Sequence, residues 1–346
     1  MSGKTRLAKI GILAAALIAL ASAGYYLATA GTLESPVLTR EAIGRGLVFL
    51  SQVNVTADTL SPAEQAYPGE EMYENLSELA LYRKMDFALD LHFIGEELND
   101  AGAARARAAE ADEFLQRLAL RWQDGPVDYA YFDSGGQKGD FAYDLYCMVS
   151  LETGNAKMAG KIRSALGENG WSTPKAQKFR EIIDESWCIM MLADNAEPAA
   201  TLERLIAAKK AQLQAYSSRP GGEGGEVERM RTSYANTHVL MALQYMKEKG
   251  YGVSAESEYI KTLQEKAFAD AAANADSPDY SCNSLYFLAK SGYPAGKLAP
   301  LARNLVAMQG ADGGWKSKLS PESFRGLLTA RAVLALNAYS QAVDGK

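Results

Sequence analysis

Gln309-Gly310-Ala311-Asp312-Gly313-Gly314-Trp315 is the stretch whose reading decides the fold. Leu305 precedes it on helical apolar spacing, and a helix of small and apolar residues follows, with Leu327, Leu328, Ala332 and Ala335 along it. The stretch reads as a tight turn between two helices: the paired glycines let the backbone fold closely, and the indole is broad enough to cover the glutamine amide.

Working outward from this turn, helical apolar spacing runs nearly the length of the chain, and no period-two stretch of strand length interrupts it. The fold class is all-α. Supersecondary units recur at about fifty residues, the signature of stacked helical pairs. First helices fall at about 40–52, 106–122, 156–167, 198–216, 256–269 and 297–309, with bounds good to about two to four residues. Their partners fall at about 77–98, 139–153, 179–194, 231–249, 281–291 and 322–341. Val239, Ala242, Leu243 and Met246 form one buried stripe, repeated by Leu328, Ala332, Ala335, Leu336 and Tyr339. Connections from a first helix to its partner are long and returns are short, so a closed ring would gather the long loops on one rim, where function tends to sit. These loops include 126–138, 217–226 and 271–280. An open solenoid of the same hairpins is the architectural alternative.

The 309–315 turn resembles the QW repeat of the terpenoid cyclase and protein prenyltransferase superfamily. In that family the glutamine and tryptophan stand where an outer helix ends and the turn toward the next inner helix begins. The resemblance covers Lys297 to Tyr339. Arg45-Gly46 with Gln52 looks like the front half of another copy, and Asn169-Gly170-Trp171 like a back half. It implies an α6/α6 toroid of six hairpins. It does not imply isoprenoid chemistry, because the repeats support architecture and activity resides in a site. The family's Asp-x-Asp-Asp and Asp-Asp-x-x-Asp motifs are missing. Asp279 and Cys282 are one residue too far apart for the Asp-x-Cys zinc motif, and His92 and His238 both precede them.

The chain of 346 residues is 48% hydrophobic and 23% charged, enough for a sizeable core. A net charge of −6 supplies no basic stripe for phosphates, so nucleic acid is not an expected partner. Lys4, Arg6 and Lys9 form a basic segment over 1–9, ahead of an uncharged run at 10–30 that is long enough to cross a bilayer. The run reads as a transmembrane anchor with its basic flank in the cytoplasm. A cleaved signal is the alternative, since Ala21-Ser22-Ala23 and Ala28-Thr29-Ala30 suit a signal peptidase. A linker at 31–37 then leads to the helical domain at 38–346, expected outside the cytoplasm. Of the three cysteines, Cys147, Cys188 and Cys282, free buried thiols are the expectation. A Cys147–Cys188 bridge is the alternative that helix phase allows, since a Leu stands four residues after each.

Three second helices carry an acid three residues before a cysteine: Asp144 before Cys147, Glu185 before Cys188 and Asp279 before Cys282. If these helices form an inner ring, the acids Asp144, Asp184, Glu185 and Asp279 face a shared cavity as candidate catalytic carboxylates. Tyr143, Tyr146, Trp187, Tyr234 and His238 belong to the same layer as candidate ligand contacts. The alternative is that the acids favour first turns for the helix dipole while the aromatics and cysteines pack. His92, beside Asp90, reads as structural. Widely spaced His238, Asp279 and Cys282 make no zinc pattern, and no cofactor or metal is expected.

The sequence therefore points to a membrane-anchored α/α toroid that binds a glycan, lipid or protein through its cavity and long-loop rim. An extracytoplasmic glycan-active hydrolase or lyase is the alternative, and a divergent terpenoid cyclase or prenyltransferase-like enzyme the second.

Overall fold

A computed structural model describes residues 36–53, 76–98, 102–124, 146–166, 186–217, 226–317 and 325–345. Their regular structure is all helical: α1 (Pro36–Gln52), α2 (Leu76–Glu97), α3 (Arg105–Asp124), α4 (146–152), α5 (Ala156–Leu166), α6 (Ser186–Asp194), α7 (Ala199–Ser217), α8 (Glu226–Glu248), α9 (Ser257–Ala273), α10 (Pro278–Lys290), α11 (Ala295–Ala307) and α12 (Arg325–Asp344). Every helix expected from the apolar spacing has its counterpart, the odd numbers being the first helices and the even numbers their partners. Among the described residues there is no strand.

The odd helices bury one stripe, such as Leu263, Ala267 and Ala271 on α9 or Leu298, Leu301, Ala302 and Leu305 on α11. The even helices are buried more nearly all round: Ser186 to Ala193 on α6, and most of Gly326 to Ala338 on α12. A helix with one apolar stripe faces solvent on its other side, whereas one buried all round sits inside a layer of neighbours.

Consecutive even helices touch. His92 on α2 meets Glu152 on α4, Cys147 on α4 is bonded to Cys188 on α6, and α6 packs on α8, α8 on α10, α10 on α12 and α12 on α2. They run parallel: Tyr234, Thr237 and His238 meet Asp279, Asn283 and Phe287 in the same chain order. Asp86, Asp90 and Glu97 meet Arg331, Asn337 and Gln341 likewise. Their C-terminal ends lie on the side of the short connections.

The 309–315 turn joins the last hairpin to the first. Trp315 is fully buried, its indole nitrogen donating to the Leu305 carbonyl at 2.7 Å and its backbone N–H to Thr329 Oγ1 at 3.0 Å. Gln309 Nε2 donates to the carbonyls of Ala42 and Gly313, each at 2.8 Å, so the amide ties α1 to the turn. Gly313 has φ +91, and a Cβ there would run into the Arg45 backbone. Gly46 leaves room for Trp315 and Val333. Arg325 pairs with Asp312 and lies 4.8 Å from the Phe49 ring centre.

Two expectations are corrected. The loop expected over 271–280 shrinks to 274–277, because alanines carry α9 through Ala273 and Pro278, with φ already set and no N–H to lose, opens α10. The thiols are not all free: Cys147 and Cys188 form a disulfide with Cα atoms 4.9 Å apart, because α4 and α6 cross closely enough to bring them within bonding reach, and Cys282 remains a buried free thiol. The run at 10–30, the loops at 126–138 and 218–225, and Asn169-Gly170-Trp171 lie outside the described residues. No helix among the described residues is long and apolar enough to cross a membrane.

Candidate functional site

Asp86, Asp90, Phe93 and Glu97 stand at i, i+4, i+7 and i+11 on α2, one face of the helix. That face points at the other even helices. Arg331 arrives from α12 and grips two of its carboxylates, Nη2 on Asp86 Oδ2 at 2.5 Å and Nε on Asp90 Oδ2 at 3.1 Å. Both acids are nearly enclosed, with side-chain exposures of 10% and 13%. Burial pushes the Asp90 carboxyl up to about 7; Arg331 opposes the rise and the Asp86 charge reinforces it. The cluster thus holds one carboxyl that keeps its proton near neutrality beside a second held by a guanidinium.

Tyr234 on α8 and Asp279 on α10 belong to the same neighbourhood. The Tyr234 hydroxyl lies 3.5 Å from the Asp279 carbonyl oxygen. Burial raises its phenol far above the usual range, with Arg331, Asp279, Cys282 and Asp86 all acting on it. Asp279 occupies the first turn of α10 and is buried, with Ser277 Oγ 3.4 Å from its carboxylate. Cys282 is raised well above its ordinary value by burial and then by Asp279, with Arg331 opposing and Asp90 adding. Charges on α2, α10 and α12 therefore act on one buried thiol.

Beside this cluster, toward the C-terminal end of α2, side chains from different helices meet. Phe93 stacks on Trp187 of α6 with centroids 6.0 Å apart and planes 16° from parallel. His92 is clamped between Asp112 Oδ1 at 2.7 Å and Glu152 Oε2 at 3.3 Å. Burial alone would lower its pKa, but the hydrogen bonds to Glu152 and Asp112 raise it to about 9. One turn on, Glu97 accepts from the Tyr286 hydroxyl and pairs with Lys290 at 2.8 Å.

Of the residues expected from sequence, Tyr234 and Asp279 are brought together with the Arg331 cluster. Trp187 joins the aromatic stack. His238 packs edge-on against Phe287 at 5.5 Å and beside Tyr234 at 6.1 Å. Tyr146 is buried at the start of the described part of α4, and burial pushes its phenol to about 12. Tyr143, Asp144, Asp184 and Glu185 lie outside the described residues. His92, read from the sequence as structural, is held by ion pairs to Asp112 and Glu152.

Asp86, Asp90 and Arg331 are the residues that sequence reasoning passes over. Their signal is nonetheless present: Arg331 is a lone charge within Leu327 to Leu336, and Asp86 and Asp90 interrupt an apolar stretch at helical spacing. Charges in the most buried layer need partners from another helix, which spacing within one helix does not identify. Among the described residues no group of three or more His, Cys, Asp or Glu is placed to hold a metal ion. A scan of family models matches none for this chain, and neither the curated proteins nor the solved structures give a match.

Proposed function

We propose that the chain is an exported, membrane-anchored α/α toroid of six hairpins that binds a hydroxyl-rich ligand, a glycan, where Asp86, Asp90, Arg331, Tyr234 and Asp279 converge. The cycle of contacts among the even helices and the docking of the 309–315 turn on α1 support the toroid. The basic segment and apolar run before residue 31 support export, as does the Cys147–Cys188 disulfide, which persists in oxidising compartments.

The observation that carries the ligand reading is the Arg331 grip on two carboxyls within the innermost layer. Burying such a group costs several kcal/mol in desolvation, and apolar side chains of similar volume pack there without that cost. Displaced pKa values gather at functional sites, where burial and neighbouring charges are arranged to shift them. A protonated carboxyl, a carboxylate and a phenol supply donors and acceptors for sugar hydroxyls, and the neighbouring Trp187–Phe93 stack offers an apolar ring face. Isothermal titration of the detergent-solubilised full chain against neutral, acidic and amino oligosaccharides tests this. Binding is expected, weakened about tenfold or more in Asp90→Asn, which replaces the carboxyl's hydrogen-bonding pattern by an amide's, a change worth about 1.4 kcal/mol or more. Failure of the folded protein to bind any member, or unchanged binding by Asp90→Asn, overturns the ligand reading.

A second reading, glycoside hydrolysis, is favoured by one observation: Asp90 keeps its proton to about pH 7 and so has the protonation state of a general acid. Cleavage of a bound oligosaccharide that falls as pH rises above about 7, and that Asp90→Asn abolishes, would establish it. Stable binding without turnover would leave the binding function alone.

A further inference from the structure

We propose that the side of the molecule formed by the C-terminal ends of α8, α10 and α12 rests on the phospholipid surface of the membrane that holds the N-terminal run. The inference rests on the anchor reading above and adds an orientation: the short connections face lipid, and the long connections face away from it.

Reach supplies the first argument. Residues 31–35 alone separate the apolar run from the start of α1, and an extended chain covers at most about 3.3–3.6 Å per residue. The first turn of α1 is therefore within about 20 Å of the bilayer, whatever the path of the linker.

Surface chemistry at that end supplies the second. Val37 and Leu38, at the start of α1, are 63% and 44% exposed, and Val343, at the end of α12, is 43% exposed. Arg40 reaches Asp344 at 3.5 Å, so these two ends of the chain adjoin. Large apolar side chains gathered at the end nearest a bilayer have an apolar medium within reach.

A recurring pair supplies the third. Tyr245 and Lys249, Tyr286 and Lys290, and Tyr293 and Lys297 share one spacing, Tyr-x-x-x-Lys. In each the ammonium lies over the ring, at 5.2, 5.7 and 5.3 Å from its centre. All three stand where an even helix ends and the next odd helix begins. Tyr293 is buried and Tyr286 is turned in to Glu97, so it is the lysine heads, with side chains 43%, 38% and 56% exposed, that reach the headgroup layer while their stems lie along the rings. Asp194, Glu97 and Glu265 pair with these lysines, so the three pairs add no net charge to the face. It therefore fits a zwitterionic surface as well as an anionic one.

The full chain in phosphatidylcholine nanodiscs, with or without phosphatidylglycerol, provides the test. Val343→Cys is labelled with an environment-sensitive dye, and quenching by a lipid carrying a headgroup nitroxide is read. Leu120→Cys, exposed on the outer helix α3, is the comparison site. In the folded protein the added thiol is the reactive one, since Cys147 and Cys188 are bridged and Cys282 is buried. Loss of fluorescence at position 343 but not at 120, in both lipid compositions, is expected. Equal quenching at both positions, or none at 343, in a chain that resists carbonate extraction overturns the orientation and leaves the anchor standing. Extraction of the chain by carbonate removes the anchor reading and the orientation with it.

Discussion

Trp315 shows how one side chain holds the ends of the molecule together. Buried completely, with its indole donor satisfied by Leu305, it is expected to cost about 3–5 kcal/mol when replaced by alanine, read from urea unfolding. An unchanged midpoint would place the indole at the surface. His92 and Asp90 make stability depend on pH in the same sense. His92 gains charged partners in the folded state, raising its pKa from 6.5 to about 9. Its contribution is full below about pH 6.5 and is lost as pH rises through about 9. Asp90 is raised from 3.8 to about 7 by burial, so its folded state binds the extra proton and loses that advantage between about pH 4 and 7. Urea midpoints should therefore fall from pH 4 to 9. Asp90→Asn is expected to flatten the lower part of that fall and His92→Gln the upper part. Trp315 was legible from the glycines and glutamine around it. The pairing of Asp86 and Asp90 with Arg331 was not, because the partners stand some 240 residues apart in sequence.

At the scale of the element, the helices were legible because apolar spacing at about 3.6 residues needs no knowledge of neighbours. The connection between α9 and α10 was misjudged because propensity, not apolar spacing, carries a helix through Asp270-Ala-Ala-Ala273 to the cap at Asn274. The disulfide between α4 and α6 spans a sequence separation of 41 residues. Closing a loop of that size limits the unfolded chain by about 4 kcal/mol in the chain-entropy account. Replacing Cys147 and Cys188 by serine is accordingly expected to lower the melting temperature markedly, while thiol counting on the wild type unfolded without reductant returns one thiol, Cys282. Three thiols would mean the bridge is absent. Helix phase allowed the bridge but did not decide it, since disulfide formation depends on how closely two helices cross.

At the scale of the whole molecule, stability depends on the contact between the last hairpin and the first. A Cβ at Gly46 would stand 2.6 Å from the Val333 side chain and 3.1 Å from the Trp315 ring. Gly46→Val is expected to destabilise by about 1–3 kcal/mol through overpacking. Hydrogen exchange should then quicken in both 36–52 and 325–344, segments that share this contact. Faster exchange confined to α1 would show that the two hairpins open independently and that the molecule does not behave as a closed assembly.

The sequence by itself determined the helical class, the places of the helices, the turn at 309–315 and the apolar stripes on α8 and α12, because each of these rests on local periodicity and local turn chemistry. Only the tertiary structure decided which charges meet in the innermost layer, which cysteines bond, and that Gln309 reaches across to Ala42. Those outcomes depend on distances between helices far apart in the chain, set by the packing of all of them at once, and no spacing within a single helix records them.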